Sequence, residues 1–230
     1  MESIKNHLKQ IDQYLDQNKF SGNPQNLYDP LNYILSLGGK RLRPVLTLIS
    51  AKMFGEINQA VLAAASSIEI FHNFSLIHDD IMDQAPLRRG KETVHIKWNE
   101  ATAILSGDLM LVKAYEQLVK SGAHSLQQKL ELFNKTAAEV CEGQQIDMNF
   151  ELQNDVSEEE YIEMIRLKTA VLLAASLKMG AIINNAHESD ADLLYKYGEN
   201  IGIGFQLMDD ILDAFGEPER FGKQVGGDII

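Results

Sequence analysis

Apolar residues recur at three- and four-residue intervals along almost the whole chain, and polar residues fill the positions between them. That period predicts helices at roughly 2–17, 25–37, 41–54, 57–83, 98–121, 124–150, 158–183 and 187–215. The connections are short and carry turn residues, as in Ser21-Gly22-Asn23-Pro24, Gly38-Gly39-Lys40 and Ser121-Gly122. Ser157-Glu158-Glu159-Glu160 has the form of a capping box opening a helix. Strand-like alternation bounded by Asn-Gly or Asp-Gly is absent. Gln84–Lys97 breaks the pattern as a polar, basic link. The expected fold is all-α: one domain, residues 1–230, of long and mostly antiparallel helices around a central cavity. The chain closes on Gly226-Gly227-Asp228-Ile229-Ile230, only three residues beyond a glycine turn, so the C-terminal helices of such a domain are expected to be lacking.

Composition narrows the partners. The 230 residues are 45% apolar, enough for a sizeable core, and the formal net charge is −12. An acidic chain without Lys/Arg stripes is a poor nucleic-acid binder. The single cysteine, Cys141, permits no intrachain disulfide and reads as a small packing residue; this suits a cytoplasmic location. The N-terminus lacks the basic start and apolar stretch of a signal peptide, and no run reads as a membrane span.

The acidic residues are not spread evenly. Asp79-Asp80-Ile81-Met82-Asp83 and Asp209-Asp210-Ile211-Leu212-Asp213 both read D-D-x-x-D. Positions i, i+1 and i+4 of a helix project from neighbouring points of its surface, so three carboxylates crowd together there. A solvated acidic helix end is the plain alternative for one such cluster. Two of them, each among apolar neighbours, fit a divalent cation better, because Mg²⁺ bridges carboxylates to substrate phosphates. The first cluster also lies toward a helix C-terminus, where the dipole disfavours negative charge. His72, Leu76, Asp79, Asp80 and Asp83 share one side of that helix; His78 points about 100° from Asp79 and reads as core or a supporting residue.

Cations accompany these acids. Gly38-Gly39-Lys40-Arg41-Leu42-Arg43-Pro44 joins two helices, with glycines for a tight turn and a helix start that attracts anions. Arg88-Arg89-Gly90-Lys91 forms a second basic patch. Lys168-Thr169 interrupts an apolar stretch, where a snorkelling lysine is the ordinary reading. Gln144 and Asp147 are i, i+3 partners that either line the same cavity or lie on the surface. Together these residues predict two anion sites, one made directly by Lys and Arg and one bridged by metal.

In this order, the motifs resemble the trans-isoprenyl diphosphate synthases of the polyprenyl synthetase family: Gly38–Pro44, His78–Asp83, Arg88-Arg89-Gly90, Gly143-Gln144-Gln145-Ile146-Asp147, Lys168-Thr169, Phe205–Asp213 and Gly222-Lys223. The resemblance implies condensation of isopentenyl diphosphate with a C5–C15 allylic diphosphate. It implies Mg²⁺ held by Asp79, Asp80, Asp83, Asp209, Asp210 and Asp213, three ions with substrate bound, with Mn²⁺ able to substitute. It further implies that Lys40, Arg43, His72 and Arg89 hold isopentenyl diphosphate, that Arg88, Lys168 and Lys223 contact the allylic diphosphate, and that Thr169 and Gln206 stabilise the cationic carbon or align the reacting ends. Family members are commonly homodimers.

Within that family the residues five and four before the first Asp limit the product, here Phe74 and Ser75. An aromatic at the first of these, without a two-residue insertion in the first cluster, resembles C20 geranylgeranyl synthases, with C15 farnesyl next. A class I terpene cyclase shares the Asp-rich helix but needs no Gly-Gly-Lys-Arg-Leu-Arg-Pro site. A non-catalytic subunit of a heteromeric synthase tends to lose one Asp cluster, and this chain keeps both.

Overall fold

The computed structural model describes residues 2–215, apart from the side chains of residues 2, 3 and 213. Lys223 and the terminal glycine turn therefore lie outside the described residues, as does the Asp213 side chain. The helices are α1 (Glu2–Gln17), α2 (Gln25–Ser36), α3 (Leu42–Phe54), α4 (Gln59–Met82), α5 (Val94–Lys97), α6 (Glu100–Lys120), α7 (Leu126–Phe150), α8 (Glu158–Ile165), α9 (Val171–Ile183) and α10 (Glu188–Phe215). The fold is all-α, and the long predicted helices stand with small shifts at their ends.

Local chemistry sets those ends. Asn58 and Asn99 cap α4 and α6 by accepting from the backbone N–H of Val61 and Thr102, each satisfying one orphan donor of a first turn. Ser157 and Glu160 form the predicted capping box at α8. The C-terminus of α6 is closed from outside the helix. Lys129, fully buried, donates to the carbonyl of Ser121 (3.3 Å), its hydroxyl (2.7 Å) and the carbonyl of Gly122 (2.9 Å).

Two places differ from the periodic pattern. The link 84–97 contains a short antiparallel hairpin, β1 (Leu87–Arg88) with β2 (Lys91–Glu92), followed by α5. Its turn residues Arg89 and Gly90 both have positive φ, +53° and +74°, the requirement of a type I′ turn. The predicted helix over 158–183 is interrupted by a π-helical turn, Arg166–Ala170, between α8 and α9. Such turns make room for an extra residue in a helix and occur often at functional sites.

The core lies between α4, α6 and α9. α4 packs on α6, α3 and α9, and α9 is enclosed by α3, α4, α7 and α10. Nearly every residue of α9 is buried; Lys178 reaches the edge and donates to Asp192 at 2.5 Å. Phe71 anchors the core by meeting Phe133 edge-on at 5.3 Å. By length and composition α4 could cross a membrane, a run the sequence pattern passed over. In this fold it is a core helix, buried nearly all round from Val61 to Phe71. Cys141, expected in the packing, is exposed instead.

Candidate active site

The residues expected to make the direct anion site gather where α3 begins. Gly38 and Gly39 take φ of +73° and +137°, conformations closed to most side chains. A Cβ on Gly39 would fall 2.8 Å from the Arg89 guanidinium, and Arg89 Nη1 donates to the Gly38 carbonyl. The hairpin turn thus lays Arg89 against the glycine loop. Arg43 Nη1 lies 3.1 Å from His72 Nε2 on α4. Burial, reinforced by Arg43, Arg89, Arg88 and Arg41, holds the imidazole well below its usual range, so His72 is neutral and accepts from Arg43. Burial also pulls Arg43 down to about 10, opposed by Glu69. Arg43 Nε is buried with no partner among the described residues. A diphosphate oxygen would supply what this nitrogen lacks. Lys40 is exposed, with Nζ 5.8 Å from the centroid of the Phe205 ring on α10.

The first acidic cluster does not present three equivalent carboxylates. Asp79 is half-buried, and burial pushes its carboxyl up to about 6, aided by Asp83 and Asp80 against the pull of Lys168 and Arg88. Asp83 caps α4 and is exposed. Asp80 is fully buried and turned toward the hairpin, where Arg88 grips it. Arg88 Nε lies 2.8 and 2.9 Å from its two oxygens and Nη2 lies 2.7 Å from Oδ1. The shared face expected of the cluster is therefore divided. One residue of helix turns Asp80 about 100° from Asp79, and the hairpin cation captures it there.

The π turn builds the middle. A Cβ on Gly143 of α7 would stand 2.3 Å from the Lys168 backbone nitrogen, and one on Gly202 of α10 would stand 2.5 Å from Ala170 Cα. These glycines let both helices close on the turn. Lys168 Nζ donates to Asp147 of α7 at 2.5 Å. Burial opposes the ammonium, but Asp147, Asp79 and Asp83 outweigh it and hold Lys168 above its ordinary range. Thr169 Oγ1 donates to Gln206 Oε1 at 3.1 Å, and Gln206 Nε2 donates to Asp210 Oδ1 at 2.8 Å. The other Asp210 oxygen accepts from Tyr161 of α8. Burial raises the Tyr161 phenol, and Asp210 and Asp147 raise it further, so it remains a donor. Asp209 is half-buried on the same helix. The fields of Lys168, Asp147 and Tyr161 thus link the first cluster to the second. Tyr161 and the Arg88 grip on Asp80 carried no sequence signal; Asp147 had one in its spacing from Gln144.

The polyprenyl synthetase family model matches residues 24–230. This chain belongs to the polyprenyl synthetase family. It is 43% identical over 232 residues to the geranylgeranyl diphosphate synthase of Methanosarcina mazei, covering 100% of this chain and 72% of that protein. A geranylfarnesyl diphosphate synthase of Natronomonas pharaonis is 40% identical over 225 residues, covering 90% of this chain and 66% of that one. The crystal structure of a geranylgeranyl pyrophosphate synthase superposes with a TM-score of 0.95 at 53% identity, covering 100% of this chain and 70% of its own.

Polyprenyl synthetases are divalent-metal-dependent prenyltransferases acting on isoprenyl diphosphates. The donor set here fits a hard cation of that kind. Among the described residues no three acidic or imidazole groups converge into a closed cage. Mg²⁺ rarely needs one, since it takes one or two carboxylates and completes its shell with water and substrate phosphate.

The polyprenyl synthetase wall beneath the first cluster is aromatic. Phe74 meets His78 edge-on at 4.8 Å and Phe71 at a tilt at 5.5 Å, and Ser75 turns its hydroxyl back to the His72 carbonyl at 2.9 Å. His78 supports that wall from the α6 side, 3.3 Å from the Ile104 carbonyl.

The glycine contacts give a test. Gly143→Ala should lower stability by about 1–3 kcal/mol, the usual cost of forcing a methyl into a closed contact. Thermal unfolding measures this. A variant as stable as the native chain would show that α7 and the π turn can separate freely.

Proposed function

We propose that the chain is a short-chain trans-prenyltransferase that joins isopentenyl diphosphate to an allylic diphosphate, with the C20 product favoured. The observation that carries this reading is the presence of two unlike anion sites side by side. Lys40, Arg43, His72 and Arg89 form a direct cationic site, and the aspartates with Lys168 and Arg88 form one suited to a metal-bridged diphosphate.

Each residue has a task that follows from its surroundings. Arg43 and Arg89 bind the isopentenyl diphosphate head beside neutral His72, which adds no competing charge. Lys168 and Arg88 contact the allylic diphosphate as it departs. Asp79, Asp83, Asp209, Asp210 and Asp213 would hold bound Mg²⁺, three ions in this reading with Mn²⁺ able to substitute, and Asp80 would join them once Arg88 releases it; the ions would neutralise the leaving group. We place Lys223 at the allylic diphosphate by family position. Thr169 spends its hydroxyl hydrogen on Gln206, so its oxygen lone pairs remain for the cationic carbon. The allylic C–O bond breaks and diphosphate leaves with the electron pair, the isopentenyl double bond attacks the resulting cation to form the carbon–carbon bond, and one proton is then lost. The apolar aromatic wall beneath Asp79 keeps water from the cation.

Related proteins of nearly equal identity carry geranylgeranyl and geranylfarnesyl names, so product length rests on the pocket wall. Incubating the purified chain with Mg²⁺, isopentenyl diphosphate and each of the C5, C10 and C15 primers should give a C20 product by mass spectrometry. Activity should be lost in EDTA. Failure with every primer would sink the reading, and release of a hydrocarbon without isopentenyl diphosphate would replace it by a cyclase.

The enzyme is further proposed to be a homodimer. Leu105, Val112 and Val119 of α6 are 59%, 52% and 56% exposed at seven-residue spacing, with Ile104 beside them. A helix drifts only about 20° over seven residues, so these form one apolar stripe. Leu105→Glu with Val112→Glu should halve the mass measured by light scattering. An unchanged mass would move the interface elsewhere. A cytoplasmic location is proposed on the single cysteine, which leaves no intrachain disulfide to maintain.

A further inference from the structure

Three cations sit in the segment 40–43, and two of them belong to the isopentenyl diphosphate site. Arg41 has turned away from it. We propose that Arg41 is a positioning residue, a buried strut closed by Glu69 that sets Lys40 and Arg43 at the spacing isopentenyl diphosphate needs. The inference rests on the two-diphosphate reading above and adds a residue to it.

Arg41 is 7% exposed and Glu69 is 3% exposed. Each guanidinium nitrogen is bonded within the protein. Nη1 donates to Glu69 of α4 at 2.7 Å, Nη2 to the Leu35 carbonyl near the end of α2 at 2.6 Å, and Nε to Asp12 of α1 at 3.3 Å. A group so engaged has little to offer a phosphate, although it stands between two proposed ligands in the sequence. Asn73, one turn along α4, donates to Glu69 at both its carboxylate (3.1 Å) and its carbonyl (2.8 Å), which steadies the acceptor.

The backbone shows why a strut is needed. Gly38, Gly39 and Arg41 all have positive φ, so this loop has no regular ladder to hold it. Arg41 itself takes φ of +46°, a strained choice for a residue with a Cβ that persists only where the surroundings over-determine it. The three guanidinium bonds do that, tying the start of α3 to α1, α2 and α4 together. Lys40 immediately precedes the strut and Arg43 follows two residues later. His72, which accepts from Arg43, lies three residues after Glu69 on α4. Arg41–Glu69 and Arg43–His72 are therefore neighbouring ties between the same loop and the same helix. Releasing the first lets the cations shift against the second, and a misplacement on the order of 1 Å can cost a hundredfold.

Removing one partner strands a buried charge, so the decisive variant removes both: Arg41→Met with Glu69→Met. Buried ion pairs replaced by apolar side chains of similar size commonly leave stability unchanged or improved. The thermal midpoint should stay within a few degrees of native. The KM for isopentenyl diphosphate should rise about tenfold or more, while the KM for the allylic diphosphate stays within about threefold. Calorimetric affinity for isopentenyl diphosphate in EDTA should fall by the same factor. If the double variant does not fold, Arg41→Lys keeps the charge and loses the fork, and it should raise the same KM by about fivefold.

Native KM values in a folded variant, or an equal rise for both substrates, would overturn the strut. The binding arm separates this from the wider reading. A native chain that binds isopentenyl diphosphate in EDTA but shows no turnover with Mg²⁺ and any allylic primer refutes the prenyltransferase, and the variants' affinities still decide the strut. A native chain that does not bind it at all refutes both.

Discussion

Asp79→Ala is expected to abolish turnover, by about a thousandfold in kcat, while the protein becomes no less stable. A loss of that size corresponds to roughly 4 kcal/mol of transition-state stabilisation, within reach of the metal-held charge it removes. The stability half follows from the site's electrostatics. Burial, with Asp83 and Asp80, pushes the Asp79 carboxyl from 3.8 up to about 6 in the folded chain. A carboxyl whose folded value is raised binds its proton more tightly when native, so its ionised form works against folding. The alanine variant, compared with native protein in EDTA, should therefore melt at the same temperature or higher above about pH 6. The gain should fade as the pH falls toward the ordinary carboxylate range, where both states are protonated. Steady-state kinetics and scanning calorimetry measure the two halves. Retained activity would remove Asp79 from the chemistry, and a large fall in melting temperature would make it a structural residue.

That combination also explains what was legible beforehand. The D-D-x-x-D spacing is covalent, so sequence alone places the carboxylates near one another at the end of a buried helix. The partners that then seize them are not covalent neighbours. Arg88 reaches Asp80 because the link after α4 doubles back through a type I′ turn, and Arg89-Gly90 is not among the usual signals for one. Tyr161 reaches Asp210 only because α8 and α10 meet at the π turn. The π turn itself is invisible to periodicity, which runs on through Lys168-Thr169 as one helix. Gly143 was the available clue, a helical glycine whose reason is close contact. The basic segment is a further case. Lys40 and Arg43 were legible there as ligands, but Arg41 carried no sign that it is a buried tie to Glu69, because that partner lies on another helix.

Phe74→Ala should lengthen the product beyond C20. Phe74 lies five residues before Asp79, about 7.5 Å down the helix from the reacting end at a rise of 1.5 Å per residue. In the proposed reading, a growing chain whose diphosphate is held at Asp79 passes it. The ring is half-buried and wedged between Phe71 and His78, so it cannot swing aside without breaking both contacts. Removing it opens the wall, and the cost in stability should stay below the 3–5 kcal/mol of a fully buried Phe→Ala change. Ser75 gives the converse test. It is small and folds its hydroxyl back on the His72 carbonyl, so Ser75→Phe should introduce bulk one residue nearer to Asp79 and shift the product toward C15. Product distributions from the C15 primer, resolved by mass spectrometry, compare the two variants directly. If the alanine variant still stops at C20, the floor lies deeper, where Phe71 meets Phe133. If the phenylalanine variant also leaves the length unchanged, this face of α4 does not bound the chain, because bulk added or removed there would have had no effect on it.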